Sequence, residues 1–154
     1  PGARFFDIDF LSDHDAARPH MMPSADAFAQ GMEALGVGSS DRIVIYDQSA
    51  LRTSARAWFM LRHFGAEQVA ILDGGLARWL VVGRPTESGR PPQRRARFDA
   101  VQRAGQVVSK DQLRRGLDMP VLDARGRARF EGSEPDPRPG IAPGHMPGAR
   151  NLPY

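Results

Sequence analysis

Between residues 42 and 83 the chain alternates two short β-branched runs with two longer amphipathic ones. "RIVIYD" (42–47) and "QVAILDGG" (68–75) read as strands suited to a buried parallel sheet. "SARAWFMLRHFG" (54–65) and "LARWLVVG" (76–83) read as helices, the first stopped by Gly65. Strand, helix, strand, helix at this pitch forces βαβ units, because parallel strands need a crossover that a helix supplies. Sites in such folds lie at the C-terminal ends of strands. That rule singles out Asp47, the loop after it, and Asp73.

The flanking segments fit the same class. "SADAFAQGMEALGVG" reads as a helix capped by Ser24, with Phe28, Met32 and Leu35 at helical spacing. "FFDIDF" fits a short strand or an extended turn. Trp58, Phe59 and Trp79 are expected in the core. After Gly105, "QVVS" reads as a strand, "SKDQLRRGLD" as a helix capped by Ser109, and "MPVLDAR" as a buried strand ending in Asp123. A long Gly/Pro-rich loop then leads to "ARNLPY". The segment 84–105 between the two regions carries three prolines and six arginines and reads as a linker or surface crossover. The expected organisation is a first α/β domain over 1–83, a linker over 84–105 and the start of a second over 106–154. Pro-Gly-Ala-Arg stands at 1–4 and again at 147–150. That repetition suggests two tandem copies of one domain type, both incomplete.

Composition excludes several functions. The chain has no cysteine, so no thiolate nucleophile, disulfide or thiolate metal site lies within it. The net charge is +3, but the basic residues are scattered and nearly all arginine, which argues against nucleic-acid binding. No apolar run approaches a membrane span. No leader-like segment precedes Pro1, and the expected setting is cytoplasmic. His14, His63 and His145 lack ligand spacing, a metal site shared by His14 and His20 has little support, and neither a metal nor another cofactor is expected.

The stretch "GHMPGARNLPY" resembles the segment leading into the second strand of rhodanese-like sulfurtransferase domains. "VLDAR", "RF", "EP", "PRPG" and "GH" upstream are similar to the start of their catalytic domain. "PGARFFDIDFLSD", "PHMMP", "IVIYD", "SARAWFMLRHFG" and "ILDGGLARW" look like the N-terminal domain of the tandem sulfurtransferases of the 3-mercaptopyruvate type. The resemblance covers nearly all of the chain outside 84–105. It implies a rhodanese-like parallel sheet flanked by helices, in two tandem copies.

It also implies a chemistry. A cysteine thiolate attacks a small anionic sulfur donor, 3-mercaptopyruvate or thiosulfate, and becomes a persulfide. The outer sulfur then passes to a thiol or cyanide acceptor. Where the family's cysteine would align in the first domain, this chain has Asp47, which marks that domain as non-catalytic. Arg52 stands where relatives often carry an aromatic residue. The nucleophile is expected beyond Tyr154, and the 154 residues by themselves are expected to be inactive and monomeric. By the same resemblance, Arg129 and Arg138 bind the donor's carboxylate and keto group, a role that suits planar, permanently charged guanidinium. Asp9 and His20, eleven residues apart, are the family's candidates for a proton relay. The competing reading is a catalytically inactive rhodanese-like module that binds a partner or regulates one.

Overall fold

A computed structural model describes residues 2–48, 53–137 and 140–153. The chain divides into two compact units, Pro1–Gln106 and Val107–Tyr154.

The first unit is built on α1 (Ala25–Ala34), β1 (Ile43–Ile45), α2 (Ser54–His63), β2 (Val69–Ile71) and α3 (Gly75–Val81). β1 and β2 pair in parallel, Ile43 opposite Val69 and Ile45 opposite Ile71, and α2 packs on both strands. α1 starts where Ser24 Oγ accepts the Ala27 amide proton. It ends at Gly36, whose φ of 72° is left-handed and whose Cβ position lies 2.7 Å from the Arg94 carbonyl, leaving room only for glycine.

Phe28 and Met32 of α1 meet Met60, Leu61 and Phe64 of the α2 region in the core. Residues 57, 60, 61 and 64 are one helix stripe, which is why this face buries. Phe28 stacks on Phe64 at 4.4 Å between centroids and meets Phe98 edge-on at 5.5 Å. Trp58 and Trp79 lie off that stripe. Their indole N–H groups donate to the carbonyls of Val69 and Pro85, and neither ring is in the core.

Residues 84–105 are fastened to this unit. Phe98 is buried in its core, and the Phe98 amide donates to Glu33. Arg94 grips both Asp41 oxygens at 2.8 and 2.9 Å, which holds the Asp41 carboxyl below its ordinary range. Arg4 donates to the carbonyls of Pro91 and Pro92. A proline- and arginine-rich crossover without periodicity can thus be anchored by one aromatic, one bidentate ion pair and a few backbone hydrogen bonds.

The second unit carries α4 (Lys110–Arg114), β3 (Leu122–Asp123), α5 (Arg127–Glu131) and β4 (Arg150–Asn151), with β3 and β4 parallel. Ser109 and Gln112 form a reciprocal capping box on α4. Among its described residues no hydrophobic residue is buried.

Of the two forms expected for "FFDIDF", the turn is the one formed, because the Asp7 carboxylate takes the amide protons of Asp9 and Phe10. Other expectations are corrected. Residues 106–109 form no strand: Val107 and Val108 are exposed and run into the α4 cap. The helix expected over 109–118 stops before Gly116. "RARFE" makes a helix inside a stretch read as loop. The strands expected to be buried are half covered. Val44 is 62% exposed and Leu122 57%, since each sheet has two strands among the described residues and helix cover on one side at most.

Candidate active site

The irregular segment before α1 brings two distant side chains together. His20 Nε2 lies 2.5 Å from Asp9 Oδ1, across eleven residues. Both side chains are largely exposed, so the contact contributes little to stability and is free to act on solvent-borne molecules. Asp9 is placed by the turn on Asp7. His20 stands in the left-handed region, with φ of 61°, a conformation that non-glycine residues rarely adopt.

Ile8, Asp9, His20, Thr53 and Arg56 line one concavity of about 480 Å³. Its floor is set by the start of α2. Asp47, just past β1, accepts the Ser54 amide proton at 2.8 Å and the Thr53 hydroxyl proton at 3.2 Å. The carboxylate at the strand end therefore caps the next helix, which satisfies a free N–H and favours negative charge there. The Gly74–Gly75 turn after β2 closes on the same residue. The Leu76 amide donates to the Asp47 carbonyl, and a Cβ on Gly75 would lie 2.8 Å from that oxygen. Asp73 is exposed in this turn.

Arg56, in the first turn of α2, points a guanidinium at the site. Its Nη2 donates to the His20 carbonyl at 2.8 Å. Its Nε is buried and has no hydrogen-bond partner among the described residues. Burial pushes the Arg56 guanidinium below its ordinary pKa.

The second unit holds Arg129, on α5, half-buried and 4.0 Å from Asp136, whose side chain is 1% exposed. Around it runs a polar clasp. Asp123 takes two side-chain donors and one amide from Arg125, which holds its carboxyl down at about 2. Arg125 also donates to the Gly144 carbonyl. His145 Nδ1 donates to the Phe130 carbonyl at 2.7 Å, and the two rings stack at 3.7 Å. Asn151 ties β4 back to the carbonyls of Asp123 and Arg125. Arg138 and Arg52 lie outside the described residues.

So Asp9 and His20 stand together, while Arg129 is placed by itself in the other unit. Thr53, Arg56 and Asp136 were not singled out as site residues. "TSAR" at a strand-to-helix turn is the signal that could have flagged the first two. Among the described residues, no group of three or more His, Asp or Glu side chains is arranged to hold a metal ion. No helix among them is long and apolar enough to cross a membrane.

Comparison with known proteins agrees with this architecture. The family model described as "Rhodanese-like domain" matches residues 1–81. The 3-mercaptopyruvate sulfurtransferase of Rattus norvegicus is 43% identical over the whole chain, which spans 54% of that relative. The enzyme of the same name from Escherichia coli K12 is 42% identical, and the chain spans 56% of it. The chain thus covers about half the length of these relatives. Among solved structures, SseA from Escherichia coli, described as a 3-mercaptopyruvate sulfotransferase with the rhodanese fold, superposes with a TM-score of 0.87 at 38% identity. That match covers 99% of this chain and 58% of SseA. Tum1 from Saccharomyces cerevisiae superposes at 0.88 with 30% identity, covering all of this chain and 55% of Tum1. With parallel α/β architecture, a matching family model and relatives at this level, the chain belongs to the rhodanese-like domain family.

Proposed function

We propose that this chain is the donor-handling part of a sulfurtransferase that moves sulfur from 3-mercaptopyruvate to a thiol or cyanide acceptor. The reading rests above all on the 2.5 Å contact between Asp9 and His20 at the edge of a concavity. The names of the relatives support it. The nucleophile is a cysteine thiolate that the 154 residues do not include. This thiolate attacks the donor's sulfur. The carbon–sulfur bond breaks, the electron pair goes to the donor's C3, and the enzyme keeps a persulfide. The proton leaving the donor's thiol ends on C3, giving pyruvate. The acceptor then takes the outer sulfur and returns the thiolate.

In that sequence His20 moves the proton, and Asp9 orients the imidazole and steadies it when protonated. Arg129 and Arg138 hold the donor's carboxylate and keto oxygen, a planar task that guanidinium performs through paired N–H donors. Residues 1–83 serve as the non-catalytic domain and 106–154 open the catalytic one.

The test is made on the full-length product of the gene. It is expected to release pyruvate from 3-mercaptopyruvate faster than it consumes thiosulfate, and Arg138→Ala is expected to weaken that preference. Unchanged selectivity in the variant sinks the substrate assignment. A product without a cysteine and without turnover replaces this reading with that of a binding module.

A further inference from the structure

We infer that Arg56 is a positioning residue for the Asp9–His20 pair, fixing the imidazole through the main chain of His20. The inference rests on the relay reading above. It starts from what does not hold His20. Its side chain is 58% exposed and lies in a turn-rich segment, so packing does not orient it. Its backbone is left-handed, a conformation uncommon for any non-glycine residue and one that a neighbouring contact can hold in place.

The Arg56 Nη2 bond to the His20 carbonyl, at 2.8 Å, supplies that constraint. It is charge-assisted and short, the stronger class of hydrogen bond. Arg56 sits on the first turn of α2, which Asp47 pins to the end of β1 through Ser54 N and Thr53 Oγ1. A continuous run of contacts thus joins β1, Asp47, the start of α2, Arg56, the His20 carbonyl, the imidazole and Asp9. Without the guanidinium, His20 relaxes to negative φ and its ring leaves Asp9. A lysine keeps a donor but lacks the rigid fork, so it restores only part of the constraint.

The experiment uses the full-length protein turning over 3-mercaptopyruvate. His20→Gln is expected to lower kcat by about a hundredfold, the scale of a lost proton-transfer group. Arg56→Gln is expected to lower kcat by about tenfold, with KM within a factor of about two, as for a misplaced group in an otherwise intact site. Arg56→Lys should recover part of the loss. The double variant should be no slower than His20→Gln, because Arg56 acts through that ring. Alongside, the intraresidue amide–Hα NOE of His20, strong only at positive φ, should be strong in the parent and lost in Arg56→Gln. Arg56→Met, which removes the donor but keeps the aliphatic stem, gives the same readout should the glutamine variant fold poorly.

If Arg56→Gln keeps full kcat while His20→Gln is slow, the inference falls and the relay reading stands. Additive losses in the double variant also overturn it. If His20→Gln keeps full kcat, the relay reading itself falls, and with it the catalytic part of the inference. The NOE then decides whether Arg56 sets the His20 backbone.

Discussion

The two units are held by different physics. The first buries Phe28, Met32, Met60, Leu61, Phe64 and Phe98 in one cluster. The second, among its described residues, buries no hydrophobic residue and is closed by hydrogen bonds and ion pairs around Asp123, Arg125, His145 and Asn151. Apolar burial is non-directional and insensitive to pH, whereas a charged clasp is directional and depends on ionisation. The same contrast runs through the two carboxylates just past or at a strand end. Asp47 accepts from the start of a helix and so positions an element. Asp123 grips an arginine two residues on and so shapes a loop. The proposed relay therefore stands on the packed unit, and Arg129 on the polar one.

The largest expected effect that separates the units is Phe28→Ala. Removing a ring stacked on Phe64 and edged by Phe98 should cost about 3–5 kcal/mol. Both tryptophans, Trp58 and Trp79, lie in the first unit, so denaturant unfolding followed by their fluorescence reads that unit. A midpoint that barely moves means the core does not hold it.

Arg125→Ala makes the opposite incision. It strips Asp123 and the Gly144 carbonyl of their partner. Amide exchange at Arg150 and Leu152, whose N–H groups bond across β3 and β4, should quicken by roughly tenfold. The tryptophan midpoint should stay. If both move together, the division of forces is wrong.

Acid should sharpen the contrast. Asp123 has a folded pKa of about 2, held down first by the Arg125 hydrogen bonds, against an ordinary 3.8. A depressed carboxylate stabilises the fold fully above its unfolded value, and that contribution fades as pH falls from about 4 to about 2. Protection at Arg150 and Leu152 should therefore drop across that window, in salt held constant. Asp41, lowered by Arg94, changes in the same direction within the first unit, where the apolar core should keep the loss of protection smaller.

The smallest effects are the caps. Ser24→Ala on α1 and Ser109→Ala on α4 should each cost about 1 kcal/mol of local helix stability, read by exchange at Ala27 and Gln112. The α4 loss should be the more visible, because no buried residue supports that helix.

The elements that could be read ahead of the structure are those with a local code. α1 has Ser24 and Phe28/Met32 at helical spacing, α2 has its stripe and Gly65, and β1 and β2 are β-branched runs. What could not be read depends on distant partners. Nothing in "QVVS" says that no strand lies beside it, and "RARFE" sits among glycines and prolines that mask its single turn of helix. Residues 84–105 lack any period, yet Phe98 finds the core sixty-five residues from Glu33, the side chain that takes its amide proton. The Asp9–His20 pair was legible only through resemblance to a family, since eleven residues of irregular chain encode no contact. Arg56 was not legible, because its bond to His20 spans thirty-six residues and two unrelated elements.

The central claim is that His20, on the core-held unit, moves the proton in sulfur transfer from 3-mercaptopyruvate. The most direct measurement is pyruvate release by the full-length protein and its His20→Gln variant under saturating donor and acceptor. Pyruvate formation is expected in the parent, with a fall in kcat of about a hundredfold in the variant. Equal rates in the two proteins, or no pyruvate from the parent, would contradict it.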